Sequence, residues 1–159
     1  MATYPFEPKS TRYLEPGQFW PIPLRNGQFG CGRVLRTIQL NGRVAPRLFH
    51  AGLMDWIGTA VPDSGALAGH FVVREALTHV KTIPLIRAQI TGIRDLTLEG
   101  IVPSLWRKFS GSKGDCYVSI NGADHLRPAT AHERATLQDL HIWQGDLIVH
   151  EAERLLGVR

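Results

Sequence analysis

Seven histidines, two cysteines and one glycine-rich basic loop are the residues of this 159-residue chain best suited to chemistry, and their spacing limits what each can do. His125, His132, His141 and His150 follow one another at intervals of seven, nine and nine residues. Zinc ligands recur at i, i+4 on a helix or in short Cys/His pairs, so these histidines predict no metal site. Cys31 lies between Gly30 and Gly32 and reads as a buried thiol. Cys116 follows Asp115, whose charge opposes formation of the thiolate. The two cysteines are far apart in sequence and predict no disulfide framework. Gly111-Ser112-Lys113-Gly114 has the composition of a phosphate cradle, but it lacks the spacing of a nucleotide loop and leads into no helix. Asp63, Glu75, Asp95 and Glu99 are dispersed, and no two are placed by local structure to share acid and base work. No catalytic residue, metal or cofactor is expected, and the chain does not read as an enzyme.

Recognition is the chemistry that remains. Ser104 to Phe109 (SLWRKF) joins aromatic and basic side chains immediately before a glycine loop, a mixture found at interface anchors and at nucleic-acid stacking platforms, and also in a core with a basic rim. The net charge is +4 and unevenly distributed: residues 1–60 hold seven basic and three acidic side chains, residues 111–159 five basic and seven acidic. An electrically polar molecule would offer its basic end to an acidic protein or to phosphates. The candidate partner contacts are therefore Arg25, Arg33, Arg36, Trp106 and Arg107.

These residues must be positioned by a hairpin that is the clearest structural signal in the chain, GQFWPIPLRNGQFGCGRVL from Gly17 to Leu35. A two-residue Asn-Gly turn would place Pro23 at a ladder position that needs an N–H, which proline lacks. A loop of three or four residues removes the conflict and predicts a left-handed Gly27. Alternation then directs Trp20, Ile22 and Leu24 toward the core and Phe19, Pro21 and Pro23 to the other face. Gly30 and Gly32 leave room for a ring or a neighbouring backbone. Apolar positions change parity after them, which predicts a bulge near Gly32-Arg33.

With 43% apolar and 20% charged residues, the chain is long enough to bury one core, and no run is long and apolar enough to span a bilayer. Pro5, Pro8 and Pro16 predict an extended arm over residues 1–16, ahead of a single domain over 17–159; the arm has no apolar run like that of a signal peptide, and a cytoplasmic protein is expected. A third strand is expected over 47–56 and a connecting loop over 58–69. From 70 to 90 the pattern alternates between strand and helical turn without deciding, with 84–91 strand-like. Short strands are expected near 95–102 and 116–120. Thr130 with Glu133 forms a capping box, predicting a helix whose face carries Leu137, Leu140 and His141 and which stops at Gly145. A strand over 147–149 and a short helix over 150–156 would close the chain. The expected fold is α+β: a curled antiparallel sheet or small, partly open barrel with one or two C-terminal helices.

Gly17-Gln18-Phe19, Ile22-Pro23-Leu24, Asn26-Gly27 and Phe29-Gly30-x-Gly32-Arg33-Val34-Leu35 resemble the N-terminal hairpin of the immunity protein family numbered twenty-six of bacterial polymorphic toxin systems. The resemblance implies a non-enzymatic protein that binds a cognate toxin domain and blocks it in the cytoplasm of the producing cell. Gln18 stands where the family pattern leads one to expect an acidic residue. The competing reading is a nucleic-acid-binding module using the basic hairpin.

Overall fold

The computed structural model describes residues 2–111 and 114–159. β1 (Gln18–Pro23) and β2 (Phe29–Leu40) form the expected hairpin, pairing Trp20 with Gly32 and Pro23 with Phe29. Leu24 N–H donates to Gln28 O (2.9 Å) and Gly27 N–H to Leu24 O (3.0 Å), so Arg25, Asn26 and Gly27 make a three-residue loop. Gly27 is left-handed, with φ +84°. The bonded parity set by Leu24 leaves Pro21 and Pro23 at positions that give no ladder bond to β2.

β2 continues without a break to Leu40 and pairs with β3 (Arg43–Met54), which in turn pairs with β4 (Val72–His79). Within the undecided 70–90 stretch, residues 72–79 are thus strand and not helical turn. α1 (Thr82–Leu85) follows, and of the strand expected over 84–91 only a bridge between Ile90 and Phe6 forms. β5 (Gly92–Ile93) covers the start of β1. The strand expected over 95–102 is instead a 3-10 turn, Leu96–Glu99, started by Asp95, whose carboxylate accepts from Thr97 N–H. β6 (Trp106–Ser110), β7 (Asp115–Ser119) and β8 (Arg127–Pro128) make a separate three-stranded sheet.

α2 (Ala131–Thr136) opens on the predicted capping box: the Thr130 hydroxyl accepts from Glu133 N–H (3.2 Å) and the Glu133 carboxylate from Thr130 N–H (3.0 Å). It ends far earlier than Gly145, because Leu137 is already extended and the chain turns away to pair with other strands. None of its residues is buried, so its caps hold it. Thr130→Ala is therefore expected to cost about 1 kcal/mol locally. Amide exchange should rise within 131–136 while the global unfolding midpoint stays in place; a global shift would show that the helix is part of the cooperative core.

β9 (Ile142–Trp143) lies parallel to β4, and α3 (Leu147–Leu155) takes in the Leu147-Ile148-Val149 run expected as strand. α3 turns Ile148 and Ala152 into the core and leaves Arg154 outside, the 3.6-residue period of a surface helix.

The large sheet runs β5-β1-β2-β3-β4-β9, antiparallel except at its last pair. It is α+β as expected but mixed and open, and neither sheet closes or curls strongly. The curled sheet or barrel is thus corrected. Both faces of the large sheet are covered. Trp20, Ile22, Leu24, Val34 and Phe49 pack on one face beneath α3 and the 83–90 segment. Phe19, Cys31, Met54, Trp56 and Leu67 cluster on the other. This also removes the bulge predicted at Gly32-Arg33: Cys31 and Val34 are apolar on opposite faces because each face has its own core. The register shifts fall later, between Val34 and Arg36 and between Thr37 and Gln39.

Candidate partner-binding surface

The five residues expected at a partner contact are scattered, and two lie inside the protein. Arg33 is wholly buried in the second cluster, its Nη2 donating to Arg94 O (2.5 Å). Desolvation lowers its pKa. Trp106 is also wholly buried, stacked on the His50 ring at 4.2 Å between the two sheets, with Ile38, Ala45 and Leu77 around it. Both were expected at a contact surface and instead serve packing, because alternation along β2 and β6 turns them inward.

Arg36 is half-buried and tied down. Its Nε donates to His50 Nδ1 (3.0 Å) and its Nη2 to Ile120 O (2.8 Å), joining β2 to the small sheet. His50 Nε2 lies 2.8 Å from Glu75 Oε1, which also accepts from Ser104 N–H (2.8 Å). With Nδ1 accepting from arginine, the His50 proton sits on Nε2 and is donated to Glu75. Burial pushes His50 below its ordinary pKa, outweighing the carboxylate, and the nearby Arg36 charge adds to the lowering. Burial alone would raise Glu75, but the bonds from His50 and Ser104 carry it below the ordinary value. Arginine, imidazole and carboxylate are arranged in line, as in a proton relay, yet His50 is fully buried and no substrate can reach it.

Arg25 reaches solvent at the hairpin tip, with Nε 2.7 Å from Glu153 and Nη2 donating to Val158 O (3.1 Å). Arg107 pairs with Asp139 at 2.6 Å, and both Arg107 and Arg134 lie over the face of Phe109, which is 49% exposed. Phe109 with two guanidiniums is an exposed anchor that was not picked from the sequence. Arg107 and Phe109 were visible as parts of one motif, but Arg134 comes from α2.

Folding offsets the uneven charge along the chain only in part. Arg25 of the basic segment lies beside Glu153 of the acidic one, whereas Lys9, Arg12, Arg43 and Arg47 pair with no described carboxylate. The arginines of the hairpin are engaged internally and form no basic face for phosphates. Ser112 and Lys113, the centre of the glycine-rich loop, lie outside the described residues. Among the described residues no three metal-ligating side chains converge, and Cys31 and Cys116 are unbridged. Burial raises the Cys31 pKa, which keeps it a thiol.

The edges of the large sheet limit how a partner can dock. Beyond Phe19, where β5 ends its pairing, β1 presents Pro21 and Pro23, which have no N–H to offer a further strand. On β4, the Gln138 side-chain amide pairs with Glu75 as a strand residue would, accepting from its N–H (3.0 Å) and donating to its carbonyl (2.5 Å). Leu77 N–H donates to His141 O (2.9 Å). Gln138 O also accepts from Arg107 N–H (2.9 Å), so one segment closes an edge of the large sheet and stitches it to the small one. Strand addition is therefore blocked along β1 beyond β5 and at this stretch of β4.

Gln18 is fully buried; its Oε1 accepts from Glu15 N–H (2.9 Å) and its Nε2 donates to Tyr13 O (3.2 Å), a pair of roles that a carboxylate could not fill. No curated protein and no solved structure matches the chain. Residues 15–69, which comprise β1 to β3 and the loop that follows and make up about a third of the chain, match the model of the family described as immunity protein 26, the family that the hairpin resembles.

Proposed function

We propose that this chain is an immunity protein that binds a cognate toxin domain and neutralises it without chemistry of its own, in the cytoplasm of the cell that makes the toxin. The observation that carries this reading is the family match over residues 15–69. The matched segment forms β1 to β3, among them the two longest strands, whose residues enter both cores, and so belongs to the scaffold on which any binding surface rests. A rigid, doubly covered sheet loses little conformational entropy on docking, which favours inhibition by occlusion.

The test is coexpression with the toxin domain encoded beside this gene in its native host. Cells carrying both should grow, and the two purified chains should co-elute at 1:1. Unrelieved toxicity together with separate elution would overturn the proposal.

A further inference from the structure

We propose that the groove between the N-terminal arm, the start of β3 and α1 receives a segment of the partner that carries carboxylates beside an apolar side chain. The inference rests on the immunity reading and adds to it the chemistry of the contact. The groove encloses about 450 Å³; Lys9, Arg47 and Lys81 stand around it, Pro84 and Leu85 supply apolar surface, and Glu7 forms part of its wall. Leu85 is 62% exposed.

Three cations stand around the groove against one carboxylate, Glu7. Lys9, Arg47 and Lys81 make no ion pair with any described residue, and unlike the other unpaired basic residues they line one groove together. The neighbouring His79 responds to their field: burial lowers its pKa first, and the charges of Lys81 and Arg47 lower it further. Holding three like charges together is unfavourable in isolation and is relieved when carboxylates arrive.

The groove is also built in advance. Phe6 and Ile90 exchange backbone hydrogen bonds of 3.0 and 2.9 Å, which fixes the arm. Arg47 Nη1 donates to Lys9 O (3.4 Å), and Arg47 O accepts from Val80 N–H (2.8 Å), which ties arm, β3 and the approach to α1 together. The Thr82 hydroxyl donates to His79 O (2.8 Å) at the start of α1.

Polypeptide fits better than nucleic acid. The lining holds no aromatic ring on which a base could stack, whereas Pro84 and Leu85 offer apolar surface to a peptide side chain. A carboxylate flanked by leucine satisfies both the cations and the Pro84-Leu85 surface.

The test uses the full chain, a synthetic peptide alternating glutamate and leucine, and a mixed-sequence DNA oligonucleotide of equal charge. The peptide should shift the amide resonances around Lys9, Arg47, Lys81 and Leu85, weaken as salt rises, and bind at least tenfold more weakly to the K9E/K81E variant. Peptide shifts located elsewhere, or tighter binding of the oligonucleotide at this groove, would overturn the proposal. With the adjacent toxin domain, K9E/K81E should lose at least tenfold in affinity. If wild type binds the toxin and the variant binds equally well, the groove assignment alone fails; if wild type does not bind it, the immunity reading fails first.

Discussion

Replacing Gly32 with alanine is expected to cost about 3 kcal/mol of folding stability, the upper end of what overpacking a core usually costs. A Cβ at Gly32 would lie 2.3 Å from Cε2 and Cζ2 of Trp20, directly across the hairpin. The indole cannot retreat: Trp20 is wholly buried and meets the Phe49 ring edge-on at 5.7 Å. The same device recurs where Trp56 lies over Gly58 and Phe19 over Gly92. Gly30→Ala provides the contrast, being on the same strand and the same face. There a Cβ would sit 3.7 Å from Ile22 Cβ and Leu156 Cδ1, which is ordinary contact, and the lost chain entropy of glycine favours alanine. Urea unfolding should therefore show a much lower midpoint for Gly32→Ala and an unchanged or slightly raised one for Gly30→Ala. Equal midpoints for the two variants would refute the close-packing account.

That pair of glycines also shows what could be read from sequence. A loop of three or four residues, three as observed, and a left-handed Gly27 followed from the missing N–H of Pro23, a local constraint that no distant residue can override. The capping box at Thr130 was legible for the same reason. The length of the helix behind it was not, because Leu137 to Trp143 is recruited by β4 and β6, strands lying far from it in sequence. The 147–149 run was misread as strand since three apolar residues carry no period; the buried pair Ile148 and Ala152 supplies it. Asp95 was a readable cap for the turn at 96–99, and its signal was overlooked.

The candidate surface was harder to read for a sharper reason. Whether an arginine is free depends on partners that sequence does not place beside it. Arg25 meets Val158, 133 residues away, and Arg36 meets Ile120, 84 residues away. Lys9, Arg47 and Lys81 look no different in sequence, yet the fold brings them together and pairs none of them with a described carboxylate. Composition gives the number of charges; topology decides which of them remain available.

Removing the Glu75 carboxylate should cost about 3 kcal/mol at pH 7, since breaking a buried charged network strands its remaining members. Glu75→Ala leaves the His50 Nε2–H and Ser104 N–H without their acceptor and Arg36 without its nearest anion. Glu75→Gln keeps an oxygen for both donors and should cost less, which separates hydrogen bonding from charge. The same network fixes the sign of the pH response. His50 and Glu75 both sit below their ordinary values of 6.5 and 4.5, so the unfolded chain binds more protons than the native one across both windows. Stability is accordingly full above pH 6.5, declines as His50 is driven toward its charged form, and declines again below pH 4.5 as Glu75 protonates. A proton added at His50 Nδ1 would face the Arg36 Nε–H that now donates to it, replacing a hydrogen bond with like-charge contact. In Glu75→Gln the step below pH 4.5 should shrink while the decline starting near 6.5 persists. Denaturation series from pH 8 to 3.5 on the three proteins test this, and a wild-type stability that stays flat from pH 7 to 4 would show that the network is not held in the ionisation state argued here.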